Sequence, residues 1–273
     1  MLALLALGSS LLWGTADFFA GLRSRSLSPP AVVGISQGCA LLALTLLVLH
    51  RGDLGPQGWP LWALASGVAG SVGLVSFYAA LAAGTMGVVS PIAAMGALVP
   101  ILLGVAGGDR PGPVVWVGMT VAVAGAALAS GPELTGAVSR KPVLLACVAA
   151  AGFGFALFAL DRGARVSLLH TLWGMRLVSV TVFCAAAVAT RSVGGAGRRD
   201  VPVLAAIGLG DVSANALFAF ASSRGLVSVA SVLGSLYPVA TLVWARVLLG
   251  ERLRAVQLAG VTLALVGVVL MTR

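Results

Sequence analysis

The sequence predicts an all-α membrane protein of ten transmembrane helices, built from two inverted five-helix repeats. Three observations lead to this prediction. Hydrophobic residues make up 59% of the 273 residues and charged residues only 9%, against about 25% charged in a soluble domain. The apolar residues fall into runs long enough to cross a bilayer, with no charged side chain between Asp53 and Asp109. The second half of the chain repeats the pattern of the first.

The apolar runs are each about 20 residues long, which is enough to span a hydrocarbon layer of about 30 Å. Proline, glycine and arginine punctuate the breaks between them, as expected for connections. The shortest break is Gly84–Gly87, so nine or eleven spans are the alternatives to ten. We interpret the first run as a retained helix, because it lacks the basic start of a cleaved signal peptide. The runs lie at about 2–22, 31–49, 61–83, 86–107, 113–131, 142–160, 168–190, 201–222, 225–249 and 255–271.

The repeat between the two halves of the chain is most visible in glycines at matching positions. We divide the chain into a first repeat over residues 1–137 and a second over 138–273. Five spans per repeat is an odd number, so the second repeat enters the membrane from the opposite side, and a pseudo-two-fold axis in the membrane plane relates the two. Such units are typical of secondary transporters, whose binding site lies between the repeats. The matched positions include Gly67 with Gly208, Phe77 with Phe218, Gly118 with Gly260, Gly125 with Gly267, and the corner 108–111 with 250–253.

Composition also excludes other classes of protein. The net charge is +9, yet the basic residues lie singly or in pairs in short connections, the pattern that orients membrane helices rather than binds nucleic acid. Three cysteines lie inside apolar runs without metal-ligand spacing, so neither a disulfide nor a metal is expected. No Walker motif is present, and no cofactor is predicted. Two histidines are too few for an intramembrane enzyme.

Ionisable side chains deep in the apolar runs are the first candidates for a binding or coupling site. Each costs about 2.5–3.5 kcal/mol at the bilayer centre, so it needs a functional reason. Asp211 lies near the middle of its run, and Asn215 lies one turn further along the same face. Arg176 lies about eight residues into the seventh run, roughly 12 Å deep, and Asp17 lies near the end of the first. Arg176 either binds an anionic substrate group or pairs with Asp211. A purely structural tie between helices is the alternative for this pair.

Aromatic residues and prolines complete the candidate site. Trp13 lies one turn before Asp17 and can line the same cavity, and Tyr237 can offer its hydroxyl to a substrate. Pro100 and Pro238 interrupt the fourth and ninth runs, where a proline removes one backbone hydrogen bond and frees a carbonyl. They are therefore the predicted gates, with a simple packing kink as the alternative.

Three further features have structural interpretations. His170 and Trp173 are interpreted as anchors at the membrane interface. The segment Gly34–Gly38, which contains Gln37, predicts close helix packing. The charged candidates do not recur between the halves, since Asp211 falls opposite Gly70 and Asp17 falls near Leu157.

Several stretches resemble the EamA-type family of the drug/metabolite transporter superfamily. They are residues 12–19 (Leu-Trp-Gly-Thr-Ala-Asp-Phe-Phe), the corner 249–252 (Leu-Gly-Glu-Arg) and the helix from Gly260 to Gly267. The resemblance covers the whole chain, once per half, and departs from the family pattern at Asp109, where glutamate is usual. It implies a ten-helix carrier with both ends cytoplasmic, whereas the count of basic residues favours the opposite orientation.

The resulting expectation is an alternating-access secondary transporter in the prokaryotic inner membrane. It exports a small metabolite, an amino acid or a drug-like compound, coupled to a proton or substrate gradient. The alternative is a translocator of a lipid-linked or amphipathic metabolite on the same fold. The expected partners are a small-molecule substrate and the lipid bilayer, with a homodimer as an open alternative.

Overall fold

The computed structural model describes residues 1–24, 26–83, 92–129, 140–192, 194–249 and 255–271. These residues form helices and their connections, with no strand in the described ranges. The predicted connection Gly84–Gly87 and the corner at Glu251 lie outside the described residues. The helices are α1 Leu2–Arg23, α2 Pro29–Arg51, α3 Trp59–Ala83, a 3-10 turn Met95–Ala97, α4 Leu98–Ala106, α5 Pro113–Ala129, α6 Arg140–Thr190, α7 Val201–Ser223, α8 Val227–Gly234, α9 Tyr237–Leu249 and α10 Ala255–Met271.

The outer surface of the bundle is apolar. Five helical stretches within the described residues are long and apolar enough to cross a membrane, and four shorter apolar helices accompany them. Large hydrophobic side chains that would be buried in a soluble protein instead face outward, which is the surface expected in lipid rather than in water. Examples are Leu4, Leu11, Leu46, Leu61, Leu102 and Leu144, each more than half exposed.

The long helix α6 is two helices that meet at Ser167. Its backbone is extended there, with φ −158° and ψ 108°, and its Oγ lies 2.8 Å from Nδ1 of His170, within the first turn of the second half. Both halves pack against the same level of α3, because Ser66 donates to the carbonyl of Ala156 (2.9 Å) while Gly67 abuts the carbonyl of Met175. The chain therefore folds back on itself at Ser167, as the separate apolar runs 142–160 and 168–190 require.

Helices from the two halves of the chain pack against each other in a reciprocal pattern. Helix α3 packs against both halves of α6, and α7 packs against α1 and α2. In each case a glycine makes the close approach: Gly67 of α3 meets the carbonyl of Met175, and Gly208 of α7 meets the carbonyl of Ser36. A Cβ at either position would clash with backbone. Gly67 and Gly208 are the pair matched in the sequence repeat.

A second reciprocal pair joins the first helix of each half to a helix break in the other half. Gly14 of α1 meets the carbonyl of Tyr237, where α9 begins. Gly154, in the first half of α6, meets the carbonyl of Gly96 in the 3-10 turn. Neither glycine has room for a Cβ without backbone movement. The two breaks are therefore clamped by the opposite half of the chain.

The close packing predicted for the segment Gly34–Gly38 occurs, but not at its glycines. A Cβ at Gly34 would make only ordinary contact with Phe183, and one at Gly38 would meet nothing within 4 Å. The close contact is the backbone of Ser36 against Gly208. Gly208 of α7, rather than the glycines of the segment Gly34–Gly38, lets the two helices approach closely.

His170 and Trp173, interpreted above as interfacial anchors, both make polar contacts within the protein. His170 is fully buried, and its Nε2 lies 3.1 Å from the carbonyl oxygen of Asp53. The indole of Trp59 stacks near the His170 ring at 5.6 Å, and Trp173 donates to Thr45 Oγ1 at 3.0 Å. His170 holds the connection 52–58 against α6, and Trp173 ties α6 to α2. The sequence showed only that both residues lie near the start of an apolar run, and it gave no sign that His170 contacts Asp53.

Candidate functional site

Contacts made by the connecting segments identify the two ends of the helix bundle. At the 24–28 end, Ser28 N–H donates to the carbonyl of Gly194 (3.0 Å) and Arg23 pairs with Asp200 (3.6 Å). At the 52–58 end, Asp53 meets His170. Between the two ends lies a cavity of about 1060 Å³, part of it open to the outside. All six residues predicted to bind substrate or couple transport line this one cavity: Trp13, Asp17, Arg176, Asp211, Asn215 and Tyr237.

Arg176 is the centre of the polar network. Its side chain is only 4% exposed, Nη2 donates to Asp211 Oδ2 at 2.6 Å and Nη1 donates to Gln37 Oε1 at 2.5 Å. Nε is buried with no hydrogen-bond partner among the described residues. Of the two alternatives, Arg176 therefore pairs with Asp211. The pair ties α2, α6 and α7 together, and removing one partner of such a buried pair costs about 3–5 kcal/mol.

Asp211 faces both the arginine and the cavity. Its side chain is 27% exposed, so the pair with Arg176 is open on the Asp211 side. Asn215, one turn later, donates from Nδ2 to the main-chain carbonyl oxygen of Asp211 at 2.8 Å. The same Nδ2 lies 3.4 Å from Oδ1 of the Asp211 carboxylate. Asn215 thus orients the carboxylate while leaving part of it accessible from the cavity.

Asp17, unlike Asp211, lacks a partner in the part of the chain that the structure describes. It is exposed, and its carboxylate makes no hydrogen bond or ion pair with any residue in the described ranges. Asp211 and Tyr237 lie near it in the same cavity. Trp13, on the same helix one turn earlier, packs on Phe218 with ring centroids 5.7 Å apart. Asp17 is therefore a free carboxylate in a partly aromatic wall.

A smaller cavity of about 380 Å³ adjoins the main one. The two share Asp17, Gln37, Leu74 and Asp211. The smaller cavity also touches Ala20, near the end of α1, so it extends the main cavity toward the 24–28 end.

At the 52–58 end of the bundle, packed side chains take the place of a cavity. Leu160 and Phe218 have no exposed surface there, and Asp161 is 1% exposed. Arg165 pairs with Asp161 at 3.1 Å and donates to the carbonyl of Ser222 at 3.0 Å, which joins α6 to α7. In this conformation the cavity extends toward one end of the bundle and is closed at the other.

Both prolines lie directly after a break in a helical stretch. Pro100 is the third residue of α4, after the 3-10 turn, and Pro238 is the second residue of α9, after a break at 235–236. Each proline therefore lies in a first helical turn, where its missing N–H is tolerated. The breaks precede them, and it is the breaks that line the cavity, through Gly96 and Gly234 among others.

Gln37 and Asp109 have roles that sequence reasoning missed. Gln37, placed in a packing pattern, is 7% exposed and holds Arg176. Asp109 accepts from Ser228 Oγ (3.0 Å) and Ser228 N–H (3.3 Å), so this acidic corner caps α8, which belongs to the other half of the chain. An uncharged amide deep in an apolar run was the available signal for Gln37. No local signal marks the long-range cap.

Positions that are equivalent in the two halves line the cavity together. The two members of each pair are 139 to 141 positions apart, and one member is often charged where the other is not. The shared positions place the cavity where the two halves meet. The pairs are Trp13 with Phe153, Asp17 with Leu157, Gln37 with Arg176, and Gly70 with Asp211.

Comparison with known proteins identifies a family and a similar fold. The model of the EamA-like transporter family matches the chain twice, over residues 1–131 and 140–273. A search of curated protein sequences found no match. A solved structure titled only "Crystal structure of protein" superposes with a TM-score of 0.84 at 18% sequence identity, over 99% of this chain and 95% of that chain. At that identity the likeness concerns the fold.

Proposed function

Because the chain belongs to the EamA-like transporter family, we propose that it is a secondary active transporter working by alternating access. It is a multi-pass membrane transporter in general terms, as its family and apolar helices indicate. The proposal adds that it exports a small metabolite, an amino acid or a drug-like compound across the plasma membrane. It also adds that a proton or substrate gradient drives the export.

Ten membrane crossings in two inverted repeats are the first part of the proposal. The two halves of α6 are two crossings, α8 and α9 together are one, and the 3-10 turn with α4 is one. Support comes from the reciprocal glycine contacts, since Gly67 and Gly208, like Gly14 and Gly154, make the same kind of contact with the opposite half. A pseudo-two-fold axis produces such pairs. Ten crossings also place both ends of the chain on one side.

The single observation that carries the proposal is the cavity at the junction of the halves. It holds Asp211 and Arg176 deep in a largely apolar bundle and Asp17 nearer the 24–28 end, and a charge inside the bilayer is costly without a use. Secondary transporters of inverted-repeat design bind substrate and coupling ion at this place. A carboxylate that is partly paired, such as Asp211, can exchange its arginine for a proton or a cationic group during the cycle.

Alternating access follows from exchanging the roles of the two halves. In the present conformation the cavity extends toward the 24–28 end, while Leu160, Phe218 and the Arg165–Asp161 pair close the 52–58 end. Movement of the breaks at Gly96 and Gly234, each clamped by the other half, would open the closed end and close the open one. With both chain ends cytoplasmic, the present conformation is the outward-facing one.

A flux assay in liposomes tests the proposal. The purified protein is reconstituted with a pH-sensitive dye inside the vesicles, and a panel of amino acids and amines is added under an imposed pH gradient. Asp211→Asn and Arg176→Ala are each expected to reduce flux at least tenfold, about 1.4 kcal/mol in the barrier. Asp200→Asn is the matched control, because Asp200 lies in a connection outside the cavity and its variant should keep wild-type flux. Unchanged flux and unchanged pH dependence in both cavity variants would overturn the proposed site.

A further inference from the structure

The charges of the ionised side chains that line the cavity do not sum to zero. Among the described residues that line it, Asp17 and Asp211 carry negative charge when ionised, and Arg176 carries positive charge. The ionised set therefore leaves one negative charge in a largely apolar surrounding. An uncompensated charge in a low-dielectric site is costly, so the cavity favours an occupant that supplies one positive charge.

Arg176 is not available to an anionic occupant. Its side chain is 4% exposed, Nη2 is held by Asp211 at 2.6 Å and Nη1 is held by Gln37. The Nε atom is buried and has no hydrogen-bond partner among the described residues. A carboxylate or phosphate would have to displace Asp211, leaving that carboxylate with less compensation than before.

Asp17 is the group that remains open. It is exposed, lines both the main and the smaller cavity, and has neither a cationic nor a hydrogen-bonding partner in the part of the chain that the structure describes. It therefore stands where the smaller cavity, which extends toward the 24–28 end, joins the main one. A cation that enters along this route reaches Asp17, whose carboxylate is not held by an arginine as that of Asp211 is.

The cavity walls around Asp17 suit the uncharged part of a cationic molecule. Trp13 lies one turn away and Tyr237 lies near Asp17 in the same cavity, so aromatic faces are at hand for a cation. Phe77, Phe153 and Phe183 line the rest of the cavity. These side chains favour an apolar or aromatic body over a sugar or a polyphosphate.

We propose that the cargo of this site is an organic monocation, an amine with an apolar or aromatic body whose ammonium group binds Asp17. This inference rests on the proposed function and names the class of substrate. The Arg176–Asp211–Gln37 network carries no net charge, and it holds α2, α6 and α7 together while the cation binds Asp17. For an anion, the cationic group among the described lining residues is Arg176, whose Nη atoms are already bound to Asp211 and Gln37.

A series of ligands with one body and different charge tests the inference. Phenethylamine is a cation, phenylalanine a zwitterion and phenylpropionate an anion, and all three share a phenylethyl body. Binding to the purified protein in detergent is measured by isothermal titration calorimetry. Wild-type protein should bind phenethylamine at least tenfold more tightly than either of the others, which corresponds to about 1.4 kcal/mol.

The variants separate charge from shape. Asp17→Asn should weaken phenethylamine binding about tenfold or more, whereas Asp17→Glu should retain most of it. Asp200→Asn, the same change outside the cavity, should bind as wild type does. Absence of phenethylamine binding to wild-type protein overturns the inference. Tighter binding of phenylalanine or phenylpropionate, or unchanged phenethylamine affinity in Asp17→Asn, overturns it too.

Flux of the same three compounds into liposomes separates this inference from the proposed function. If phenethylamine binds in an Asp17-dependent way but none of the three crosses the vesicle membrane, transport fails and the charge preference stands. If phenylalanine or phenylpropionate is transported and phenethylamine is not, transport stands and the monocation inference fails.

Discussion

Gln37 and Arg176 occupy equivalent positions in the two halves and bind each other across their junction. One is a neutral amide and the other a guanidinium, so Gln37 accepts a hydrogen bond from Arg176 without adding a charge. Asp211 then offsets the positive charge of Arg176, and in the sequence repeat it falls opposite Gly70. The three side chains thus form one polar network between α2, α6 and α7.

Outside the membrane-spanning segments, the Asp53 carboxylate belongs to a polar cluster on the 52–58 connection. A hydrogen bond from the Arg51 side chain, more than the bond from Gly55 N–H or the nearby charges, lowers the pKa of Asp53 below its ordinary value of 3.8. The folded state therefore prefers the ionised form. Its contribution to stability is present above the ordinary pKa and is lost as the pH falls through the lowered pKa of the folded state.

We expect Asp53→Asn to lower the midpoint of thermal unfolding slightly at about pH 7, with the difference from wild type shrinking as the pH falls toward about 3. The side chain is half exposed, so solvent screening keeps the effect small. Thermal unfolding of both proteins in detergent, across this pH range, provides the measurement. A difference that stays constant with pH would show that the carboxylate charge is not its cause.

At the scale of helices, glycines set how closely the two halves approach. Gly14 lies against the carbonyl of Tyr237 and the Cβ of Ala240, so an added methyl group meets backbone. Thr241 Oγ1 also donates to the Gly14 carbonyl at 3.0 Å, which fixes α1 on the start of α9. By contrast, Gly21, on the same helix, would place a Cβ in open space.

We therefore expect opposite effects from the same substitution at these two positions. Gly14→Ala should destabilise the protein by about 1–3 kcal/mol, the usual cost of overpacking. Gly21→Ala should be neutral or stabilise by up to about 1 kcal/mol, because alanine is the better helix former. Thermal unfolding of the two variants in detergent measures the difference. Equal destabilisation at both sites would contradict the tight contact between α1 and α9.

For the whole molecule, the open question is which end of the bundle faces the cytoplasm. The family resemblance places both chain ends inside, whereas the distribution of arginines favours the reverse. Under the first orientation the connection 24–28 is outside and the connection 52–58 is inside. Both connections contain exposed polar residues suited to labelling, Ser26 and Gln57.

Cysteine labelling decides between the orientations. In a variant with Cys39, Cys147 and Cys184 replaced by alanine, Ser26→Cys should react with a membrane-impermeant maleimide in intact cells. Gln57→Cys should react only after the membrane is permeabilised. The reverse pattern would place both chain ends outside and make the present conformation inward-facing.

Composition and spacing were sufficient for the local features. Helix positions follow from the length of each apolar run, because a bilayer demands about 20 apolar residues wherever they occur, and α1, α7 and α10 end within two residues of their predicted limits. Depth in a run likewise marked Asp17, Arg176 and Asp211 as cavity residues, since an intramembrane charge needs a polar surrounding.

Choice of partner was decided only by the tertiary structure. Whether Arg176 pairs with Asp211 or waits for an anion depends on how closely α6 approaches α7, and that distance is set by contacts far along the chain, such as Gly208 against Ser36. The same holds for Gln37, for His170 on Asp53 and for the cap of Asp109 on α8. Asp17 stays unpaired for the same reason, because no described helix brings a cation within reach of it.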